Sequence, residues 1–317
     1  MSTEKLKETI QKVFPDVETV ICWQEGFDKI HTTPLFVTAE DQFDKAVWNP
    51  LCVQNLTSYL PSMKKKKVAV AAKGCDSRTI VQFMQEGLID RNNVVIIGIP
   101  CKGVVSVKKV LKAIDYQPVE DVKVSGDTVV IKTPKGEKTL KVSDVWPDKC
   151  ATCQYPTPVM YDFLVGDEIQ SDKPVESVYE EVQEFDAKTL EERKAYFDKE
   201  FAKCIRCYAC RNACPMCVCQ DSCIAETRDP HWITQYMSLT EKTMFHMIHS
   251  VHLAGRCVEC GECERVCPMD IPVAKIKKKI NAEMKILYDY TTGINPDDKP
   301  PMYTFLVDEA KIKEHKL

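Results

Sequence analysis

The 317-residue chain sets 43 Lys and Arg against 47 Asp and Glu, a formal charge of −4 with an isoelectric point near 6.0, so no basic excess points to nucleic acid. Its 17 cysteines accompany a charged, amphipathic start, MSTEKLKETIQKVF, with no apolar signal-peptide core, which argues for metal sites rather than disulfides and for a cytoplasmic protein. No apolar run approaches the length of a membrane span, which limits any membrane association to a peripheral one.

Residues 1–165 read as an α/β domain with a short parallel sheet and a small antiparallel meander. The Lys64–Lys67 run reads as a solvated approach to a strand. KKVAVAAKGC is an apolar strand ending at Cys75, and DSRTIVQFMQEGL a helix capped by Asp76 or Ser77 and closed near Gly87. NNVVIIGIPC is a second buried strand, ending at Cys101, and VVSVKKVLKAI a second helix. Strand–helix–strand–helix is the order of a parallel sheet. VKVSGDTVVIKTPKGEKTLKV alternates apolar and polar residues around two glycine turns, as a meander does. Cys22 and Cys52 read as ordinary buried cysteines, and no motif marks residues 1–60.

Residues 166–200 are acidic and helical and read as a linker into an α-helical dicluster ferredoxin domain, 201–290, followed by an extended, proline-bearing tail, 291–317. Cys204, Cys207, Cys210 and Cys214 form C-x2-C-x2-C-x3-C followed by Pro215, and Cys257, Cys260, Cys263 and Cys267, followed by Pro268, repeat it. Three thiolates in a tight loop wrap three irons of a cubane cluster, and the fourth cysteine reaches the other cluster. The expected quartets are therefore Cys204, Cys207, Cys210 with Cys267, and Cys257, Cys260, Cys263 with Cys214. Zinc prefers two separated ligand pairs to two tandem four-cysteine runs. The gap between the motifs holds SLTEKTMFHMIHSVHLAG, in which Ser238 and Glu241 have capping-box spacing and Gly255 suits a helix end. His246, His249 and His252 lie along this helix and read as an amphipathic histidine face rather than haem ligands, with His249 or His252 placed to tune a nearby cluster.

Cys75 and Cys101 each follow a parallel strand, and the carboxyl ends of neighbouring parallel strands share one edge, where sites form. With the Cys150, Cys153 pair in DKCATCQYP they make four thiolates, enough for a third 4Fe–4S cluster. The bland alternative is that Cys75 and Cys101 are small core residues. Glycine beside each, in KGCD and IPCKG, favours close approach of a bulky group. Cys217, Cys219 and Cys223 are left over. They either line the first two clusters without ligating them or replace a strand-end cysteine at the third site.

These motifs carry a family resemblance. CIRCYACRNACPMCVC and CVECGECERVCP, behind an α/β domain with KGCDSR and a later C-x2-C, resemble the iron–sulfur beta subunits of cytoplasmic sulfhydrogenases, the iron–sulfur component of anaerobic sulfite reductase, and the beta subunits of deazaflavin-dependent formate dehydrogenases and hydrogenases. The resemblance covers roughly 65–270 and implies anaerobic metabolism, with electrons relayed between a flavin or nicotinamide-linked subunit, or ferredoxin, and a catalytic partner. CATCQYPTPVMYD departs from the sulfhydrogenase form. No dinucleotide fingerprint, nucleophile elbow or phosphate loop is present, so the expectation is a non-catalytic electron-transfer subunit. The alternative is a subunit that itself binds FAD, with Lys73, Ser77 and Arg78 near the phosphates, although only 11 glycines weaken it. A third reading makes the clusters purely structural.

Overall fold

The computed structural model describes residues 3–219, 222–226 and 232–305. The chain opens with α1 (Thr3–Val13), which buries Leu6, Ile10 and Val13 on one helical stripe. The α/β region continues with β1 (Thr19–Glu25), β2 (Thr32–Val37), β3 (Ala46–Val47), β4 (Val68–Ala72), α2 (Gly74–Gln85), β5 (Val94–Gly98) and α3 (Val107–Ala113). It closes with β6 (Asp121–Ser125), β7 (Thr128–Thr133), β8 (Gly136–Lys141), α4 (Asp148–Ala151) and β9 (Phe163–Leu164). The helical region comprises α5 (Glu180–Asp186), α6 (Leu190–Ala202), α7 (Ala209–Asn212), α8 (Leu239–Val251), α9 (Glu262–Arg265) and α10 (Val273–Tyr288).

The expected short parallel sheet is larger and mixed. Among the described residues it has six strands in the order β2-β1-β4-β5-β9, with β3 also on β1. β1, β4, β5 and β9 run parallel, while β2 and β3 pair antiparallel with β1. The unassigned first sixty residues thus supply half of the sheet. β4 is apolar and buried at all five positions, as a parallel strand covered on both faces is. Ile80 and Phe83 of α2 join Trp23, Val70 and Ile97 in the main core, where Cys22 and Cys52 are also fully buried.

The meander forms as read, in the order β6-β7-β8, and buries Val129 and Ile131 against Val110 of α3 in a separate small core. The Lys64–Lys67 run is exposed. The helix after β4 starts earlier than expected, with Lys73 as its N-cap and Asp76 inside the first turn, where its carboxylate accepts from the Lys73 amide at 3.0 Å. Gly87 ends that helix region with φ +64. α6 packs along α8, and its Phe201 joins Phe245, Cys204 and Cys210 in the core of the helical region. The tail makes a short turn at Pro301–Tyr303, and residues 306–317 lie outside the described residues.

The two regions are bound tightly through α2. Arg78 donates to the Thr292 carbonyl at 2.8 Å, the Tyr290 hydroxyl lies 3.3 Å from Gln82 Oε1, and Gly293, with φ +71, sits where a Cβ would meet the Arg78 carbonyl at 2.3 Å. Arg256 clasps Glu86 with two bonds, at 2.8 and 2.6 Å, and the Glu86 side chain is only 3% exposed. Arg256→Met leaves that carboxylate without its counter-charge, bonded only by the Gln82 amide at 2.9 Å, and is expected to destabilise the protein by roughly 3 kcal/mol, visible as a lowered thermal midpoint. Adding Glu86→Gln in the same chain should recover part of the loss, and an unchanged midpoint in Arg256→Met would show that the clasp carries no weight.

Candidate metal centre

The two cysteine loops are built alike. Each places left-handed residues at the same two positions, Arg206 (φ 52) and Tyr208 (φ 57) in the first, Glu259 (φ 57) and Gly261 (φ 71) in the second. Each is followed by a single helical turn, α7 or α9, and these two turns pack together. The last cysteine closes each turn: the Cys214 amide donates to Arg211 O at 3.2 Å and the Cys267 amide to Glu264 O at 3.3 Å. Such a loop turns its cysteines inward in succession, and backbone amides reach sulfur in both, Arg206 N to Cys204 at 3.3 Å and Ile271 N to Cys267 at 3.5 Å. Amide bonds to sulfur are among the levers that set cluster potentials.

Cysteines of the two loops are near neighbours: Cys204, Cys210, Cys263 and Cys267 share one apolar cluster, and Cys214 and Cys257 pack against the main core. After burial, the neighbour that lifts the Cys204 thiol most is Cys267. Burial, followed by Cys263, Cys267 and Cys204, raises Cys210 to about 12 against the pull of Lys277. Burial lifts Cys257 to about 12 and Cys263 to about 11, with Cys214 adding to both. Cys214, Cys257, Cys260 and Cys263 line one cavity of about 1350 Å³. Cys207 is exposed at the rim of its own loop.

Lys277 of α10 is 1% exposed, and its Nζ has no hydrogen-bond partner among the described residues. Burial opposes its charge, but Cys263, Cys214, Cys257 and Cys217 outweigh burial and keep the ammonium protonated. A buried, unbonded cation is costly unless a counter-charge stands beside it. Thiolates held by a metal cluster are such a counter-charge, so this donor set fits a 4Fe–4S group.

The other four cysteines singled out in the sequence also meet. Cys75, Cys101, Cys150 and Cys153 line the same 1350 Å³ cavity at the carboxyl ends of β4 and β5. Cys75 lies in the first turn of α2 rather than at the strand end, and Cys101 three residues past β5, because the ladder between the two strands ends at Ala72 with Gly98. Burial pushes Cys75 up to about 12, opposed by Lys149, and Cys153 adds to the rise. Burial, then Cys150, then Cys75 raise Cys101. The Gly103 amide reaches Cys101 Sγ at 3.4 Å.

Lys149 joins this quartet to the second cysteine loop. Its Nζ lies 3.9 Å from Cys75 Sγ and donates to the Cys260 carbonyl. Its stem lies over Gly261, where a Cβ would come within 2.9 Å of Lys149 Cδ. That contact accounts for glycine at a position which the first loop fills with Tyr208.

Glycine beside the cysteines serves protein contacts more directly than expected. A Cβ on Gly74 would lie 1.7 Å from the Tyr155 carbonyl, in the segment that carries Cys150 and Cys153, and one on Gly103 would meet the Trp146 ring at 2.2 Å. Ser77 Oγ accepts from the Val159 amide at 2.9 Å, anchoring the same segment. The groups considered for a flavin phosphate are already engaged. Lys73 is paired with Asp76 at 2.8 Å, donates to Gln54 O and stands 4.3 Å over the Trp23 ring. Arg78 donates to Thr292 O and stacks on Tyr155.

The histidine helix turns two of its three histidines inward. His246 and His249 are buried and only His252 is exposed. His246 stacks on Phe201 at 4.4 Å, and burial drops the two buried rings to about 4 and about 2. Ser238 caps the helix at the Glu241 amide, but the Glu241 carboxylate bonds Thr234 instead of closing the box. Nothing in the sequence marks Lys149 or Lys277, since a lysine next to a cysteine or inside a helix looks like any other.

Gly74→Ala is expected to push the Tyr155 carbonyl away and loosen the segment that accepts from the Cys101 amide, the Pro156 carbonyl at 2.7 Å. Exchange of the Cys101 amide with solvent should speed up about tenfold or more. Unchanged protection there would show that the close approach is not what seats the segment.

Two domain families match. The family described as the C terminus of the coenzyme F420 hydrogenase/dehydrogenase beta subunit covers residues 65–179, and the 4Fe-4S dicluster domain covers 203–271. The F420-dependent formate dehydrogenase subunit beta of Methanocaldococcus jannaschii is 24% identical over 90% of this chain and 90% of its own length. The corresponding formate dehydrogenase 1 subunit of Methanococcus maripaludis is 25% identical over 90% and 88%. A chain in a structure of the F420-reducing [NiFe] hydrogenase complex from Methanosarcina barkeri overlaps 48% of this chain and 58% of its own, at 16% identity and a TM-score of 0.36, too loose to carry an argument. With both domains present in order and the similarity running along nine tenths of its length, the chain resembles the deazaflavin-dependent formate dehydrogenase beta subunits, and is an electron-transfer subunit of an oxidoreductase.

Proposed function

We propose that the chain is the iron–sulfur relay of a cytoplasmic oxidoreductase of several subunits, one that links a flavin- or deazaflavin-reacting partner to a catalytic partner acting on a substrate such as formate. The reading assigns Cys204, Cys207, Cys210 and Cys267 to one 4Fe–4S cluster, Cys257, Cys260, Cys263 and Cys214 to a second, and Cys75, Cys101, Cys150 and Cys153 to a third. Bound there, each cluster would take up and release one electron at a time. The observation that carries it is the single cavity shared by the second and third quartets, bridged by Lys149 from Cys75 to the Cys260 carbonyl. Lys149 and Lys277 supply positive charge beside the sulfurs, which favours the reduced state and raises the potential. The apolar main core, with Met216 and Leu253, packs against Cys214 and Cys257 of the second quartet. No helix among the described residues is long and apolar enough to cross a membrane. The catalytic chemistry belongs to the partners.

Two variants of the native complex test the assignments. Cys153→Ser should remove about four irons per chain, leave the ferredoxin clusters reducible by dithionite, and abolish turnover. Full turnover after that loss would place the third site off the electron path, and unchanged iron would remove Cys153 from the ligands. Cys214→Ser should disturb the cluster on Cys257–Cys263 and spare the one on Cys204–Cys210, and the opposite result would overturn the crossed assignment.

One observation favours the alternative that the chain also holds FAD: at about 1350 Å³ the shared cavity exceeds the usual range for a small-molecule site, roughly 300–1,000 Å³. The engaged Lys73, Ser77 and Arg78 count against the phosphate contacts named above, which leaves Lys102, an exposed lysine on the cavity wall. Acid treatment of the isolated protein decides it. Released flavin with resolved visible peaks supports FAD, and a broad absorbance that bleaches on reduction without released flavin removes it.

A further inference from the structure

Cys217, Cys219 and Cys223 lie outside the three quartets, yet the fold gathers them. They line a separate cavity of about 420 Å³ together with His249, and with Met216, Leu253, Ala225 and Arg211 around them. His249 is 2% exposed, and neither ring nitrogen has a hydrogen-bond partner among the described residues. A buried imidazole with both nitrogens unbonded is costly in a dry interior, unless one nitrogen faces a group that is to be bound.

Arg211 holds the thiol-bearing segments in place. Its guanidinium donates to the Cys219 carbonyl at 2.9 Å and pairs with Glu226 at 2.8 Å, and the Glu226 amide in turn donates to the Cys223 carbonyl at 3.0 Å. The cavity sits where the two main cores meet, since Cys217 packs on the α/β core and Cys223 on the helical one. Three thiols and a neutral imidazole are soft and borderline ligands, the set that iron–sulfur clusters and zinc both accept.

The spacing separates these two. Four donors about 2.3 Å from one zinc ion stand only about 3.8 Å from each other. Among the described residues, the donors that lie within 4.8 Å of one another are Cys214, Cys217 and His249, and Cys219 and Cys223 do not join them. Donors spread around a cavity fit a group with several metal atoms. We infer that Cys217, Cys219, Cys223 and His249 form a fourth iron–sulfur site, set beside the second quartet through the neighbouring Cys214 and Cys217.

Metal content reads this site directly, so the test does not depend on the relay function. Full-length protein prepared anaerobically should hold about sixteen irons with matching sulfide, rather than about twelve. Cys219 is exposed, so Cys219→Ser leaves the cores intact. Cys219→Ser and Cys223→Ser should each lose about four irons while Cys153→Ser loses a different four, and the dithionite-reduced signals of the two ferredoxin clusters should persist. His249→Ala should behave as the serine variants do. His249→Cys should retain the iron and titrate at a lower potential, since imidazole in place of thiolate raises it. Iron unchanged in both serine variants would overturn the site. Zinc lost in place of iron would overturn the cluster assignment, and loss of the Cys257–Cys263 signal in Cys219→Ser would show that these cysteines serve the second quartet instead.

Discussion

Thiols crowded into a dry interior are held together by the cations buried with them. Burial is the leading cause that drives Cys75, Cys210 and Cys257 toward the neutral form, each up to about 12. Ionised together they would repel. Lys149 and Lys277 lie among them, Lys277 buried and Lys149 half-buried, and each ammonium is kept charged by the neighbouring sulfurs and, for Lys149, Glu262. Neither half is sustainable alone: the lysines need thiolates and the thiolates need a metal and a counter-charge. The docking of the two regions follows from this, because Lys149 belongs to the α/β region while the carbonyl it bonds and the glycine it covers belong to the second cysteine loop.

That constraint separates what could be read from the sequence from what could not. The two C-x2-C-x2-C-x3-C runs are local, and a local spacing fixes a local loop, so the loops and the turns after them were legible. The strand–helix–strand–helix run around Cys75 and Cys101 was legible too, because apolar runs bounded by glycine are strong signals. The first three strands were not. TVICWQE is buried at its first five positions but opens and closes on polar residues, and its partner β4 lies more than forty residues away. No periodicity announces such a pairing.

The histidines were legible only as an amphipathic face, without the side that is covered. Residues 246, 249 and 252 look polar on a helical wheel, and a polar stripe is normally solvated. Here α6 lays Phe201 against His246 and the Cys217 cavity receives His249, so two of the three face inward. Only tertiary packing decides which face of a short amphipathic helix is covered. Glycine does mark close approach at Gly74 and Gly103, but the approaching groups are the Tyr155 carbonyl and the Trp146 ring, which the sequence places more than forty residues further along the chain.

The two cysteine loops share a backbone and differ in surroundings, and the difference gives the chain a direction. The second loop is covered by the α/β region and lies beside Lys149 and Lys277, with Cys260 and Cys263 buried and Cys257 half-buried. The first is backed by Phe201 and Phe245 on one side and leaves Cys207 exposed on the other. Sulfurs beside buried ammonium groups stabilise added negative charge more than sulfurs at a solvated rim, where water screens whatever charge is nearby. On the relay reading, an electron therefore lies lower in energy at the covered loop than at the exposed one. The exposed loop is the end a partner can touch, and the buried lysines define the well toward which an electron arriving there would run.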